Sequence, residues 1–127
     1  DQLHKAIVNN KLKEMEKTEF IIKINTIISE VEGLNSWAFI TAWNPSPEIL
    51  NLEENRIRNK NLEDDIIKLG LKYSNGIGIS ADEQWSEESF FIENISLDKA
   101  NEWAAKYKQL AYVFGNKNEP ANLIYTK

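Results

Sequence analysis

The sequence predicts an α+β domain in which about six strands, largely antiparallel, carry two main helices on one face, with a further helix at the amino end. Three observations support this. Apolar residues alternate with a period of two at 18–28, 36–43 and 89–95 and near the carboxyl end. They recur at helical spacing, behind good caps, over 51–69 and after Ser96. Clusters of Gly, Pro and Asn separate these segments. At 127 residues the chain suits one domain, 1–127, able to bury about two-thirds of its unfolded surface. Within it, 1–17 is the helical addition and 18–127 the core.

Taken in order, residues 2–16 hold Leu3, Ile7 and Met15 sparsely among charges, the pattern of an amphipathic helix packed on one side. Over 18–28, Phe20, Ile22 and Ile24 alternate with Ile21, Lys23 and Asn25. After a turn at 32–35, Trp37, Phe39 and Thr41 alternate with Ala38, Ile40 and Ala42, so these two strands read as a hairpin. Asn44-Pro45-Ser46-Pro47 must leave the sheet, because proline lacks the ladder donor and constrains the residue before it. The helix over 51–69 starts at the N-cap Asn51, with Glu54 placed to complete a capping box, and stops at Gly70.

Residues 72–79 and 89–95 form a second hairpin with a long or irregular loop, and Gly76-Ile77-Gly78 reads as a bend rather than a phosphate cradle. Ser96 caps a helix whose Leu97, Ala100, Trp103, Ala104 and Tyr107 make an inner stripe. Strands at 111–114 and 121–125 close the chain around Gly115-Asn116-Lys117-Asn118. Trp37, Phe39, Phe91, Trp103 and Tyr107 fall at core positions. Trp43 and Trp85 sit at loop margins, where together they would wall a pocket for a flat ligand such as a nucleobase.

Composition excludes several function classes. Without cysteine there are no disulfides, thiolate zinc sites or sulfur nucleophiles, which suits a reducing cytoplasm. One histidine, His4 in a charged stretch, argues against histidine triads and histidine-rich metal sites. No apolar run approaches the roughly 20 residues of a membrane helix, and the start lacks a signal peptide's apolar centre, so a cytoplasmic protein is expected. A net charge of −5 makes nucleic acid an unfavourable partner. Lys5, Lys11, Lys13 and Lys17 are interrupted by Glu14, Glu16 and Glu19 and read as a solvated face. Asp82, Glu83, Glu87 and Glu88 lack calcium-loop spacing, so neither metal nor cofactor is expected.

The most informative stripe lies on the 51–69 helix. Leu62, Ile66 and Leu69 mark a buried face, yet the same face continues backwards onto Asn55, Arg58 and Asn59. An unpaired buried polar group costs roughly 1–3 kcal/mol, so these side chains require partners, a ligand or water. Arg58 either binds a ligand's carboxylate or phosphate, or pairs with Glu87 or Glu88. Alternation puts Glu87 and Ser89 on one face and Glu88 with Phe90 on the other, so one carboxylate points inward. That carboxylate is a general base, an acceptor for a ligand amine, or half of an internal salt bridge to Arg58, the favoured reading. Thr41, Trp43 and Asn44 stand where a strand ends, either as a ligand position or as an Asn-Pro turn.

The string Phe39-Ile40-Thr41-Ala42-Trp43-Asn44-Pro45, the residues Glu54-Asn55, Arg58-Asn59 and Leu62, the run from Trp85 to Phe90, and Gln109 with Ala111 resemble an uncharacterised bacterial family, domain of unknown function 3293. The resemblance extends from about Thr18 to the carboxyl end. It implies that these positions belong together and implies no reaction. The approach to Trp85, glycine-rich in that family, is here Ala81-Asp82-Glu83-Gln84.

Two functions are compatible with these residues. In the first, a small polar or anionic ligand, nucleotide-like ones included, sits where the Trp43-Asn44 turn, the Asn55-Arg58-Asn59 face and the Trp85-Glu88 segment meet. Arg58 takes its anionic part, Asn44, Asn55 and Asn59 orient it, and Thr41, Trp43, Trp85, Glu88 and Gln109 complete the site. Any catalysis rests on Glu87 or Glu88. In the second, the protein is an interaction or inhibitor module of bacterial or phage origin, the polar cluster is an internal brace, and the acidic segment 82–88 touches a protein partner.

Overall fold

The computed structural model describes residues 3–13, 16–80 and 82–126, and its amino end holds two strands instead of the helix expected over 2–16. These are β1 (Leu3–Lys13) and β2 (Glu16–Lys23), an antiparallel pair in which Ala6 faces Ile22 and Val8 faces Phe20. All four side chains are buried. The spacing of Leu3 and Ile7 imitates a helix, but Ala6 and Val8 alternate inward and gain far more from Phe20 and Ile22 than an exposed helix would gain. The expected pairing of 18–28 with 36–43 is absent for the same reason, because β2 pairs with β1.

The remaining elements follow as β3 (Ser36–Ile40), α1 (Leu52–Leu69), β4 (Tyr73–Ser80), β5 (Ser86–Glu93), α2 (Leu97–Lys106), β6 (Ala111–Asn116) and β7 (Asn122–Tyr125). A 3₁₀ turn at Ser29–Val31 precedes β3. The strands form one seven-stranded sheet in the order β2-β1-β4-β5-β3-β6-β7, antiparallel at every pairing. The α+β class expected from the sequence holds, with seven strands in place of about six.

The sheet curls. Just beyond β2, at one edge, the Asn25 amide donates to the Ala121 carbonyl at 2.7 Å and the Ala121 amide donates to the Thr26 carbonyl at 2.8 Å, immediately before β7 at the other edge. Inside the curl lies one apolar cluster, with Ala6, Val8, Phe20, Ile22, Trp37 and Phe91 at its centre. Trp37 packs so closely on Gly115 that a Cβ there would collide with the indole. Its Nε1 is buried without an acceptor among the described residues.

Outside the curl the two helices share one face. Leu62 and Ile66 of α1 and Ala100, Trp103 and Ala104 of α2 pack over Ala38, Ile40 and Ile92. Asn51 and Glu54 form the expected capping box. At the other end Gly70, at φ 78°, lets the Leu71 amide return to the Ile66 carbonyl. Leu71 then packs on the core in place of Leu69, which is 50% exposed. Leu97 is likewise 47% exposed, and Ile95, one residue ahead of the Ser96 cap, fills the core there. Tyr107 donates to the Asp65 carboxylate at 2.5 Å and so ties α2 to α1. Among the described residues no helix is long and apolar enough to cross a membrane.

Candidate functional site

The polar stretch of α1 meets the chain where β3 ends. Rungs of the β3–β5 ladder pair Ala38 with Ile92 and Ile40 with Phe90, so the next would join Ala42 to Glu88. Asn59 occupies that rung. Its Oδ1 accepts from the Ala42 amide at 2.8 Å, and its Nδ2 donates to the Glu88 carbonyl at 2.7 Å. A primary amide has the donor and acceptor of a peptide group, so it replaces one strand's contribution as β3 and β5 part. Thr41 donates a second bond to the same Glu88 carbonyl at 2.6 Å.

The next residues are held in the same way. The Arg58 Nε donates to the Ala42 carbonyl at 2.7 Å and its Nη2 to the Tyr107 carbonyl at 2.5 Å. The Trp43 amide donates to Thr41 Oγ1 at 3.1 Å, and the Trp43 carbonyl accepts from Gln109 Nε2 at 3.0 Å. Asn55 accepts from the Asn44 amide at 2.7 Å and donates to Asn44 Oδ1 at 2.8 Å. Asn44 takes the left-handed φ of 45°, which asparagine tolerates, and its Oδ1 also accepts from the Leu50 amide. Side chains thereby satisfy an irregular, half-buried segment that has no ladder of its own.

This arrangement differs from the favoured pairing of Arg58 with a glutamate. Arg58 donates to two backbone carbonyls and to no carboxylate among the described residues, while Glu88 lies on the helix side of the sheet and pairs with Arg56 at 3.1 Å, both half exposed. Carbonyls that the turn leaves unpaired are strong acceptors for a guanidinium, and this site requires no second charge.

Below the brace, inside the curl, is a cleft of about 360 Å³ between β3, the β4–β5 hairpin, the 44–46 and 108–110 loops and the β6–β7 hairpin. Thr41, Asn44, Trp85 and Gln109 line it together with Glu87, as do Ser89, Phe39 and Leu123. Trp43, Asn55, Arg58, Asn59 and Glu88 are not on its wall, so the two tryptophans do not face each other across it. Asn59 and Glu88 instead border a shallow groove on the helix side.

Glu87 is the inward carboxylate, as its alternation with Glu88 allows. Gly78 stands opposite it in the ladder and leaves its flank open. Gly76, two residues earlier, belongs to β4 and not to a bend: a Cβ there would come within 2.7 Å of the Phe39 ring. Among the described residues the Glu87 carboxyl has no hydrogen-bond or ion-pair partner, and burial pushes it up to about 7. Trp85 precedes it on the same face, anchored by a turn in which Ser80 donates to Asp82 at 2.7 Å and Asp82 accepts from the Gln84 amide at 3.0 Å. The hydrogen bond from Ser80 holds the Asp82 carboxyl below the usual carboxylate range.

The carboxyl-terminal wall was not among the expected site residues. Leu123 and Tyr125 share a face by alternation, but nothing local in the sequence shows that β7 curls towards Trp85. Among the described residues no three His, Cys, Asp or Glu side chains gather as metal ligands would.

A family model described as protein of unknown function (DUF3293) matches residues 40–112. The match covers more than half of the chain, and it begins at Ile40 and ends at Tyr112, inside the span from about Thr18 to the carboxyl end implied by resemblance. No curated protein and no solved structure matches.

Replacing Asn59 by Ala leaves the Ala42 amide without its acceptor, so the variant should lose roughly 2–4 kcal/mol in urea unfolding, as should Arg58→Ala. Stability within about 0.5 kcal/mol of the unmodified chain would contradict the brace. For Glu87 the sign is fixed by its raised pKa. The protonated form is favoured in the fold, and the associated stability, present below the usual carboxylate range, is lost as pH rises through about 7. Glu87→Gln should therefore gain roughly 1–3 kcal/mol over the unmodified chain near pH 8 and almost nothing near pH 4. A pH-independent difference in thermal melts would contradict it.

Proposed function

The chain belongs to this family of unknown function (DUF3293), and from that premise we propose that it binds a small polar molecule in the cleft beneath the α1 brace. The observation that carries the reading is Glu87, a half-buried carboxyl that has no partner among the described residues and stands at the wall of a ready-formed cleft. Such a group costs stability, and a ligand that pairs with it offsets that cost. The volume is in the range of small-ligand sites, and the lining combines Trp85, Phe39 and Leu123 with a few convergent polar groups. The anionic ligand expected from Arg58 loses its support, since that guanidinium is turned to backbone carbonyls. Asn55, Arg58 and Asn59 act by shaping the cleft, and Trp85, Asn44, Thr41, Gln109 and Glu87 face the ligand. We place this single domain in a reducing bacterial cytoplasm, which a cysteine-free chain suits.

The second reading, a protein-interaction module, is supported by the internal satisfaction of the polar cluster, which leaves the exposed turn at Asp82–Gln84 to meet a partner. A fragment screen separates the two. Under the ligand reading, hits raise the melting temperature, by an amount equivalent to about 2.7 kcal/mol at a hundredfold excess over Kd, and shift the Trp85 indole resonance. Trp85→Ala should abolish those hits. Failure of every fragment to move Trp85, together with capture of a protein partner that depends on Glu83, would overturn the reading in favour of the module.

A further inference from the structure

The cleft's polar side chains are arranged unequally. Thr41 gives its hydroxyl proton to the Glu88 carbonyl, Ser89 donates to the Glu87 carbonyl at 3.1 Å, and Gln109 Nε2 is shared between the Trp43 and Tyr107 carbonyls. What these three groups retain is oxygen lone pairs, while Asn44, whose Oδ1 accepts from Leu50 and Asn55, keeps amide N–H donors at the wall; among the described residues the Glu87 carboxyl accepts nothing. The cations of the neighbourhood face elsewhere. Arg58 is bound to two carbonyls and Arg56 to Glu88 on the helix side, which leaves Lys108, exposed at the mouth, as the one basic side chain on the wall among the described residues. β4 presents Gly78 to Glu87, β5 presents Ser89, Trp85 stands just ahead of β5, and β7 carries Tyr125 at the wall. An anionic group placed beside Glu87 would meet a second carboxyl.

Resting on the ligand reading above, we infer that the bound group is a planar nitrogen cation with paired N–H donors, of the amidinium or guanidinium type, which pairs with the Glu87 carboxylate and lies against Trp85. Two parallel N–H groups match the two oxygens of a carboxylate, and a delocalised cation is attracted to an indole face. Trp85, just ahead of β5, and Glu87 line the same cleft, so the aromatic surface and the carboxylate flank the same space, to which Gly78 opposite Glu87 adds no side chain. Binding draws Glu87 into its ionised form and so releases a proton wherever the free group is protonated.

The test uses three isosteres, benzamidine, benzamide and benzoate, which share a ring and differ in charge. Binding is followed through the Trp85 indole resonance and by calorimetry. Benzamidine should bind at least tenfold more tightly than the other two, and its affinity should fall about tenfold per pH unit below the Glu87 pKa. Glu87→Gln should remove at least nine-tenths of that preference, and the pH profile of the unmodified chain provides the same information should the variant fold poorly. If benzamide or benzoate binds as well as benzamidine, or the affinity does not change with pH, the cationic class is overturned while the ligand reading stands. If none of the three moves Trp85, the inference fails, and the broader fragment screen decides the ligand reading separately.

Discussion

The amide of Asn59 takes the place of a rung in the β3–β5 ladder, and the cleft depends on that substitution. Two strands that part inside a protein leave facing amides and carbonyls unpaired, at a cost of about 1–3 kcal/mol each. Water would satisfy them and loosen the joint. A side-chain amide satisfies them rigidly, with one acceptor for Ala42 and one donor for Glu88. The strands therefore diverge at a defined residue, and Glu87 and Ser89 remain in strand geometry beside the opening. Arg58, Asn55 and Gln109 extend the same solution to Ala42, Trp43 and Asn44.

The rest of the fold sets what lies beneath that opening. The sheet curls until the chain beyond β2 bonds to the residue before β7, so side chains on its inner face converge. Most of the interior is filled, with Trp37 against Phe91 at 5.5 Å and Phe20 edge-on to Phe91 at 5.3 Å. Gly76 has no side chain where the Phe39 ring approaches β4, and Gly78 has none opposite Glu87 in the ladder. The cleft is thus a part of the core left unfilled at the end where the strands separate, and Glu87 on its wall is a carboxyl whose burial is unfavourable without a ligand.

Much of this was legible in local patterns. The capping box at Asn51 and Glu54, the stop at Gly70, the Ser96 cap and the inward alanines of α2 are short-range signals with one physical reading each, and the structure contains them all. The polar stripe of α1 was legible as an anomaly, and its burial is real for Asn55 and Asn59. Its partners were not legible, because backbone carbonyls carry no sequence signature and a glutamate was the visible alternative for Arg58. At the amino end, Leu3 and Ile7 suggested a helix while Ala6 and Val8 belonged to a strand whose partner, Phe20 and Ile22, decides the matter only in three dimensions. The curl that brings Leu123 to Trp85 is a property of the whole sheet, and no window of residues contains it.

The most direct test of the brace is amide hydrogen exchange at Ala42 and Asn44. Both lie beyond the end of β3, in chain with no regular secondary structure, yet each donates to a buried asparagine side chain of α1. If Asn59 and Asn55 hold this segment, the two amides exchange as slowly as those of Ala38 and Ile40 in the centre of the sheet, opening only with the whole domain. Exchange as fast as that of the exposed residues that follow, such as Glu48 and Ile49, would mean that the segment opens on its own and that the cleft has no fixed wall on that side.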